Sequence, residues 1–568
     1  MLMLSGAIRT AAEEENLTVP IVVKKVRKLG AGGSVSGADR AASTLRPVFV
    51  ETTPACSKAC PNHHDIRAIL TTVAQAEARG KTHEAAFREA FDILADGNPL
   101  PAATSRACPH QCETQCSRTH LDGAVSINAL ERFLGDFALE KNLPLRPLTD
   151  ERHPEQVAVV GSGPGALSCA YQLARRGYPV TVFEAFPRLG GMLRYGIPSH
   201  RLPRRVLDAE IDRLLALGIQ ARCSTAIGKD VTYEDLRQQF AAIFVGVRAA
   251  TGARLGLPGD DAPNVISALE FLHRVNTGEA PQVGDSVVVV GGGDVAVDAA
   301  RVAVRLGART TILSRRTVED MPATRDEVED AQREGVRIEC PVTPSSVRID
   351  GARATGLACL RVEAEGPDAV GGSEFFLGAD TIIVAAKPER DYTGLAALRD
   401  ASGHIPASDL GETAVPNTFI AGDDLDLGIV STAIFRGRRA AGTIHTRFRG
   451  LTIEPPAAPP VIASERMRLD YYPKQPRTAG AALPVEARFA SPEREVRLPF
   501  SEAQAVAEAR RCLSCGLCFA CDTCWQYCQD QAIQKPVEKG SPYRIKLEFC
   551  TGCKKCAEQC PCGYIEMR

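Results

Sequence analysis

The sequence predicts an α/β protein in which two Rossmann-like domains lie between two cysteine-rich domains, a helical one before them and an α+β one after them. Three observations predict this order: five cysteines between Cys56 and Cys116, two strand–glycine loop–helix patterns in the middle, and ten cysteines between Cys512 and Cys560. Strands that alternate with helices and turn through glycine are typical of doubly wound parallel sheets.

The composition excludes several classes of protein. The chain has 568 residues and a net charge of -2, which argues against a nucleic-acid partner. Its longest apolar runs, such as residues 287–290, fall far short of the roughly twenty residues of a membrane span. Residues 13–15 are all glutamate, where a signal peptide would have an apolar core. We therefore expect a cytoplasmic protein without a membrane span, whose cysteines stay reduced.

Residues 1–45 are interpreted as an N-terminal arm, and residues 46–150 as a helical iron-sulfur domain with periodic Ala and Leu. A spacing of four places thiols on one face of a helix, where thiolates can converge on an iron-sulfur cluster. The alternative is buried apolar cysteine, a common fate of single cysteines, but five in two groups favour metal. The patterns are Cys56-x3-Cys60 and Cys108-x3-Cys112-x3-Cys116.

A first nucleotide site is predicted in residues 151–280. A buried strand, 157–160, turns through glycines into a helix, and the next strand, 180–183, ends in Glu184. Glycines let the backbone approach a pyrophosphate at a helix N-terminus, and an acid about twenty residues on binds a ribose hydroxyl. The candidate contacts in the loop are Gly161, Gly163, Pro164, Gly165 and Ala166.

A second nucleotide site is predicted in residues 281–385. Its second strand, 310–313, is followed by Arg315 and Arg316 instead of an acid. A guanidinium pairs with a 2′-phosphate that an acid would repel. This site is therefore predicted to bind NADPH, with NADH as the alternative, and the first site to bind FAD. A solvated charge pair is the other interpretation of the arginines. The candidate contacts in this loop are Gly291, Gly293, Asp294 and Val295.

Residues 386–448 are predicted to complete the FAD domain. The strand 417–421 is followed by Gly422 and Asp423, and an acid at such a place in two-dinucleotide flavoproteins typically meets the sugar-alcohol chain of the flavin. Residues 449–505, rich in Pro and Ala, are interpreted as a semi-rigid linker.

Residues 506–568 are predicted to form a ferredoxin-like domain with two clusters. Two copies of C-x2-C-x2-C-x3-C begin at Cys518 and Cys550, and in two-cluster ferredoxins the fourth cysteine of each copy binds the other cluster. A zinc ribbon needs only four ligands with a longer gap between pairs, and a disulfide scaffold is typical of short secreted chains. The predicted 4Fe-4S ligand sets are Cys518, Cys521, Cys524 and Cys560, and Cys550, Cys553, Cys556 and Cys528.

Together these residues resemble the small subunit of NADPH-dependent glutamate synthase and its family of iron-sulfur flavoproteins. The resemblance covers roughly residues 50–448 and implies an FAD domain interrupted by an NADPH domain, with residues 190–203 near the isoalloxazine. The additional motifs are Asn98-Pro99-Leu100-Pro101, Cys108-Pro109, Phe183-Glu184, Gly190-Gly191-Met192-Leu193, Gly196-Ile197-Pro198, Arg201-Leu202-Pro203 and Met321-Pro322-Ala323. Gly191, Met192, Leu193 and Ile197 are the candidate FAD contacts that the resemblance implies.

The sequence departs from the family pattern at four places. Ala166 fills the third glycine position, where Ala is tolerated. Lys387 stands where the family usually has Gln, and Asp294 stands where it tends to have Asn, close to the cofactor phosphates. The C-x2-C that usually opens the family's N-terminal domain is missing before Cys56.

The family's N-terminal cluster takes a glutamine or carboxylate ligand from a later helix, and the matching residue here is Glu131. The resemblance therefore implies one ligand set of Cys60, Cys108, Cys112 and Glu131.

Four further cysteines lead to a hypothesis about the number of clusters. Cys56 and Cys116 supply only two of the four ligands that a cluster needs. Cys512-x2-Cys515 looks like the missing C-x2-C moved to the other end of the chain. The hypothesis is that these four bind a fourth cluster. The alternative is a single N-terminal cluster, with thiols that bind no metal. The chain is therefore expected to hold three or four 4Fe-4S clusters. Cys562 is assigned to none of them.

The cofactors predict an electron-transfer function. NADPH donates two electrons as hydride, a cluster accepts one at a time, and FAD does both. No catalytic side chain is expected, and thiol chemistry is disfavoured because no C-x2-C or C-x4-C lies beside either glycine loop. The expected acceptor is ferredoxin or a partner redox enzyme, in a homo- or hetero-oligomer. The alternative is a non-autonomous electron-transfer subunit of a larger complex, such as glutamate synthase or a 2-oxoacid:ferredoxin oxidoreductase.

Overall fold

The computed structural model describes residues 43–246, 248–249, 254–363, 372–386, 390–420, 429–452, 459–491, 493–537 and 542–568. The chain forms two compact units. The first unit contains Met1–Leu148, Gly450–Gly480 and Pro499–Arg568, and the second contains Thr149–Arg449 and Ala481–Leu498. The predicted arm, 1–45, lies almost entirely outside the described residues.

Side-chain caps start several helices, because a Ser, Thr or Asp oxygen satisfies an amide that has no partner within the helix. Asp65, Thr82 and Ser501 each accept such a bond, and Ser501 forms a capping box with Gln504. The α-helices of the described residues are α1 (Ala55–Ala59), α2 (Ile66–Ala74), α3 (His83–Gly97), α4 (Pro101–Ser105), α5 (Gln111–Thr114), α6 (Ile127–Glu140), α7 (Pro164–Ala174), α8 (Met192–Tyr195), α9 (Arg204–Leu215), α10 (Tyr233–Gln239), α11 (Ala268–Asn276), α12 (Asp294–Arg305), α13 (Arg325–Arg333), α14 (Val430–Phe448), α15 (Val485–Arg488), α16 (Glu502–Ala509), α17 (Thr523–Tyr527) and α18 (Lys555–Glu558).

The central strands of both large sheets are runs of β-branched residues, as expected for strands buried on both faces. The strands of the described residues are β1 (Pro47–Phe49), β2 (Val157–Val160), β3 (Val180–Phe183), β4 (Gln220–Arg222), β5 (Ala242–Val245), β6 (Arg248–Ala249), β7 (Val265–Ser267), β8 (Ser286–Val290), β9 (Arg309–Leu313), β10 (Arg337–Glu339), β11 (Val342–Asp350), β12 (Arg353–Arg361), β13 (Phe375–Gly378), β14 (Thr381–Val384), β15 (Arg390–Asp391), β16 (Thr418–Ile420), β17 (Ile533–Gln534), β18 (Arg544–Ile545) and β19 (Ile565–Met567).

The first unit joins the two predicted cysteine-rich domains. Its helical part packs around Phe87, whose ring meets those of Phe133 and Phe137 edge-on at 4.8 and 5.4 Å. At the other end of the sequence, β17 and β18 form a hairpin. β1 pairs antiparallel with β19, so the first described strand and the last one form a single sheet.

The second unit contains two five-stranded parallel sheets, which agrees with the predicted α/β class. The strand order is β16-β5-β2-β3-β4 in the first sheet and β10-β9-β8-β14-β7 in the second. Strand β16 returns to the first sheet after the second is complete, so the second domain is inserted into the first. A three-stranded antiparallel sheet, β11-β12-β13, follows β10.

Two domain boundaries differ from those predicted. The second sheet begins at β7 (Val265–Ser267), earlier than the predicted boundary at residue 281, because β7 pairs with β14 and has no glycine loop to mark it. The predicted linker 449–505 is divided between the units, Gly450–Gly480 in the first and Ala481–Leu498 in the second. Its irregular backbone is fixed by side chains: the Tyr472 hydroxyl donates to the carbonyl of Leu513 at 2.8 Å.

Among the described helices, none combines the length and the apolar character that crossing a bilayer requires.

Helix α14 crosses α7 at very short range. A Cβ at Gly437 would stand 1.9 Å from the carbonyl oxygen of Gly165, which is backbone and cannot rotate away. We expect Gly437→Ala to destabilise the protein by about 1–3 kcal/mol or more, because overpacking forces the helices apart. Thermal unfolding followed by circular dichroism measures this.

The matched control is Gly378→Ala, where the nearest atoms to a new Cβ are 3.8 Å away. That variant should stay within about 0.5 kcal/mol of the wild type. Equal stabilities of the two variants would contradict the close crossing.

Candidate cofactor sites

The first glycine loop joins β2 to α7. Gly161 has a φ of 84°, and a Cβ there would lie 2.8 Å from the carbonyl oxygen of Gly246. Gly163 is the N-cap of α7 and Pro164 is its first residue, a position where proline's missing N–H costs nothing. The amides at the start of this eleven-residue helix face outward, a geometry that suits a pyrophosphate.

Glu184 lies directly beside this loop, as predicted. Its side chain is buried, one carboxylate oxygen accepts from the Ser162 hydroxyl at 2.5 Å, and the other accepts from the amide of Phe186 at 2.9 Å. The Ser162 hydroxyl in turn accepts from the amide of Gly190 at 2.9 Å. The loop, the acid and the segment around Gly190 are therefore connected, and Ser162 is a residue that the sequence analysis did not single out.

The segment predicted to lie near the isoalloxazine packs on the same loop. A Cβ at Gly191 would stand 2.6 Å from Cα of Gly163, so only glycine fits. Met192 starts α8 and is 37% exposed, whereas Leu193 is buried and Ile197 is half-buried. The predicted contacts Gly422 and Asp423, as well as Lys387, lie outside the described residues.

The second glycine loop joins β8 to α12. Gly291 has a φ of 147°, and Gly293 is the N-cap of the helix. Val295, in the first turn, is 40% exposed. Residues of the motif 321–323 pack onto this loop, since the amide of Ala323 donates to the carbonyl of Gly292 at 3.2 Å.

Asp294, which is expected to lie close to the cofactor phosphates, has a hydrogen-bond partner within the protein. It accepts from the amide of Thr324 at 2.8 Å, at the start of α13. The protein itself thus supplies a donor to this carboxylate, which reduces its repulsion of a phosphate group.

Arg315 and Arg316 follow β9 in an exposed turn. The Ser314 hydroxyl fixes the turn by donating to the carbonyl of Arg316 at 2.9 Å and accepting from its amide at 3.1 Å. Within the part of the chain that the structure describes, no ion pair involves either guanidinium. Both remain available to an anionic ligand at the carboxyl edge of the sheet, where α/β proteins bind nucleotides.

The two predicted ferredoxin sets are each brought together. One cavity is lined by Cys518, Cys521, Cys524, Cys560 and also Cys562, and another is lined by Cys528, Cys550, Cys553 and Cys556. We call them the first and second ferredoxin cavities. In the first cavity, the Sγ atoms of Cys562 and Cys560 are 3.8 Å apart. Thus the cysteine that seemed spare lines the same cavity.

The thiols of these cavities strongly affect one another. Burial, together with repulsion from the neighbouring Cys553, Cys528 and Cys550, raises the pKa of Cys556 to about 12. Iron cations reverse this balance, since a thiol that binds a metal is deprotonated. Backbone amides also point at sulfur: Ala520 donates to Cys518 at 3.5 Å, and Gly552 donates to Cys550 at 3.4 Å.

The third predicted set lies in the helical part of the first unit. Burial raises the pKa of Cys112 well above its ordinary value, and Glu131, Cys60 and Cys108 all lie close enough to raise it further. Glu131 is therefore near the cysteines that the family resemblance assigned to it.

His64 orients Glu131, and the sequence analysis did not identify it. The Asn62 amide nitrogen donates to His64 Nε2 at 2.5 Å and to the carbonyl of Gly97 at 3.0 Å. Nδ1 therefore carries the imidazole proton and donates to Glu131 Oε1 at 3.1 Å. A partner of this kind fixes the direction of a ligand's lone pairs.

The last four cysteines line one cavity together. Cys56 and Cys116 come from the N-terminal region, and Cys512 and Cys515 from the C-terminal region. We call this the two-ended cavity. Burial raises the pKa of the Cys56 thiol well above its ordinary value, and Cys515, Cys116 and Cys512 raise it further.

Within the described ranges, no group of three or more His, Cys, Asp or Glu side chains is placed to hold one metal ion. The ligands of a 4Fe-4S cluster each bind a different iron and stand further apart. No disulfide joins any of the twenty cysteines, all of which lie in the described residues.

Comparison with known proteins gives the same assignment. Residues 155–437 match the pyridine nucleotide-disulphide oxidoreductase family, and residues 46–143 match dihydropyrimidine dehydrogenase domain II, 4Fe-4S cluster. The β subunit of NADPH-Fe(3+) oxidoreductase from Geobacter sulfurreducens is 33% identical over 85% of this chain and 78% of that protein.

Two further relatives are similar over most of their length. The β subunit of NADP(+)-dependent formate dehydrogenase from Moorella thermoacetica is 34% identical over 85% of this chain and 73% of that protein. The small chain of NADPH glutamate synthase from Escherichia coli is 33% identical over 69% of this chain and 88% of that protein.

The fold and these relatives define the class of the protein, an iron-sulfur flavoprotein that oxidises or reduces a nicotinamide nucleotide. The chain belongs to the family that includes the glutamate synthase small chain and the β subunits of NADPH-dependent oxidoreductases. It is an FAD-dependent NAD(P)H oxidoreductase that holds iron-sulfur clusters, and the resemblance drawn from its motifs is confirmed.

The exposed arginine pair generates a prediction about nucleotide preference. We expect the double variant Arg315→Ala, Arg316→Ala to raise the KM for NADPH at least about tenfold, because a hydrogen bond to a charged group contributes roughly 1.5–3 kcal/mol. The KM for NADH should hardly change. Steady-state dye reduction with each nucleotide measures both constants.

Arg325→Ala is the control, because this arginine is also exposed but pairs with Glu329 on α13. It should leave both constants unchanged. If the KM for NADPH and the KM for NADH rose equally in the double variant, the arginines would not be recognising the 2′-phosphate.

Proposed function

We propose that this chain connects NADPH to ferredoxin or to a partner redox enzyme. One observation carries the proposal: a single chain holds two glycine loops at the edges of parallel sheets and three groups of converging cluster ligands, which are the two ferredoxin cavities and the set around Glu131. Bound FAD supplies the exchange between the two-electron chemistry of NADPH and the one-electron chemistry of iron-sulfur clusters.

The residues at the two loops bind and orient the nucleotides. The first turns of α7 and α12 present backbone amides to phosphate groups, and Glu184 accepts from a ribose hydroxyl. The arginines after β9 hold the 2′-phosphate of NADPH. We assign no side chain as an acid or base, since the chain's role is to hold the reacting groups in position.

The cysteine groups hold the clusters. The two ferredoxin cavities each supply four thiolates, and a third site takes three thiolates and the carboxylate of Glu131. His64 orients that carboxylate by donating to its Oε1 atom. Cluster ligation by these residues is part of the proposal.

Exposed aromatic residues next to the ferredoxin cysteines support electron exchange with another protein. Trp525 follows Cys524 of the first ferredoxin cavity, and Phe549 precedes Cys550 of the second. Cys553, which lines that cavity, is exposed. Trp525 and Phe549 are 44% and 55% exposed, and Lys535 and Lys546 lie over their rings at 5.6 and 5.8 Å. We call these two aromatic and two lysine residues the aromatic surface. Exposed aromatic rings beside cations are typical of an interface for a partner with acidic groups.

The second candidate function is a subunit that works only within a larger complex. The relatives named as β subunits and as a small chain favour it. The aromatic surface is consistent with it as well, because permanent interfaces are more apolar than transient ones.

Anaerobic assays of the isolated chain distinguish the two functions. We expect NADPH to reduce both a viologen dye and ferredoxin. The double variant Trp525→Ala, Phe549→Ala should keep dye reduction and lower the rate of ferredoxin reduction at least about tenfold, as loss of aromatic anchors does at interfaces.

Phe376→Ala, which removes a 56% exposed ring from the second unit, is the control and should change neither rate. Reduction of the dye without reduction of ferredoxin by the wild type would favour the larger complex. Failure to reduce either acceptor would contradict an autonomous enzyme.

A further inference from the structure

We propose that the two-ended cavity binds a fourth 4Fe-4S cluster, whose ligands Cys56, Cys116, Cys512 and Cys515 join the two ends of the chain. This site goes beyond the proposed function, which needs only the other three sites, and it rests on the same iron-sulfur chemistry.

The cavity is built for thiolate ligands. Apart from the four cysteines, its wall has apolar residues, among them Leu70, Val125, Ile127 and Leu513, and also Arg67, Arg118 and Ser117. Cys116 and Cys515 are 8% and 9% exposed. Four sulfurs in one cavity are a soft ligand set, the type that iron-sulfur clusters require.

The loop between Cys512 and Cys515 has a left-handed residue at the same place as the loops of the ferredoxin cavities. Ser514, the residue before the second cysteine, has a φ of 50°; Ala520 and Gly552, at the same place in their C-x2-C loops, have φ values of 55° and 74°. Left-handed backbone is costly for Ser and Ala.

In the two ferredoxin loops this conformation turns an amide toward sulfur, because Ala520 and Gly552 donate to the first cysteine of their loops. Ser514 has the same left-handed φ at the same place after Cys512. A loop that only packs in a core has no need of this strained shape.

The cysteine backbone is held on the N-terminal domain by buried arginines. Arg67 donates to the carbonyls of Cys515 and Thr52, both at 2.9 Å. Arg118 donates to the carbonyl of Arg511 at 2.6 Å. The two halves of the cavity are thus positioned by hydrogen bonds that do not involve sulfur.

The competing explanation is that these are ordinary buried cysteines. Cys169, a fully buried cysteine of the second unit, shows that case: burial raises its pKa, and among the described residues the other group that affects this pKa is Arg176, not a second cysteine. The four cysteines of the two-ended cavity instead face one another, an arrangement that packing alone does not favour.

Iron and acid-labile sulfide, measured per FAD after anaerobic reconstitution of the full chain, test the proposal. The wild type should hold about sixteen irons, which is four for each of four clusters. The double variant Cys512→Ala, Cys515→Ala should hold about twelve, with unchanged FAD. The control Cys223→Ala, Cys340→Ala replaces two half-buried thiols of the second unit and should keep all of the iron.

A wild type with about twelve irons, or equal iron in the wild type and the first double variant, would overturn the proposal. If that variant fails to fold and loses all iron, the wild-type count alone decides between sixteen and twelve. Sixteen irons without reduction of dye or ferredoxin would leave the fourth site in place and contradict the proposed function.

Hydrogen exchange tests whether the cluster joins the two ends. In the reconstituted double variant, the amides of residues 508–516 should exchange at least about tenfold faster than in the wild type, while those of the control variant should not. Unchanged exchange would show that the arginine contacts alone hold the segment.

Discussion

The architecture of the first unit depends on one buried guanidinium. Arg511 is 1% exposed and uses all five of its N–H donors. It donates to the carbonyls of Gly123, Ala124 and Gln475 and to the carboxylates of Asp122 and Glu508, over distances of 2.6 to 3.2 Å. Three distant stretches of chain therefore meet at one side chain. A buried cation is stable only when it is paired in this way, and loss of one partner typically costs about 3–5 kcal/mol.

Arginine and carboxylate groups fix the other half of the proline-rich stretch within the second unit. Arg488 is 3% exposed and contacts Glu334 at 3.1 Å and Asp330 at 3.2 Å. Burial opposes the ionisation of Glu334, but hydrogen bonds from Arg301 and Arg305 outweigh it and lower its pKa to about 2. A segment that composition describes as a linker is thus anchored by buried ion pairs.

What the sequence predicts well is determined by local spacing. The glycine loops, Glu184 after β3 and the two ferredoxin sets follow from residues close together in sequence, because cluster ligands and phosphate loops require fixed short intervals. The two halves of the two-ended cavity are far apart in sequence, and they were linked only by counting the cysteines that no other ligand set used.

What the sequence could not predict depends on tertiary contacts. The donor to Asp294 lies thirty residues away in a different turn, and no pattern links the two. His64 and Ser162 act through single hydrogen bonds to Glu131 and Glu184, and isolated residues of these types give no signal. The edge strand β7 has neither a glycine loop nor a periodic pattern, so the start of its domain could be seen only from strand pairing.

The pairing of β1 with β19 imposes an order on biosynthesis. Arg118 and Arg511, which hold the two ends together, are 393 residues apart. At a synthesis rate of 5–20 residues per second, the N-terminal cysteines wait about 20–80 s on the ribosome before their partners emerge. During that time the first helical domain lacks its closing strand and half of one ligand set. The cluster proposed for the two-ended cavity therefore cannot be completed before Cys512 and Cys515 have been synthesised, and until then the thiols of Cys56 and Cys116 lack half of their ligand set.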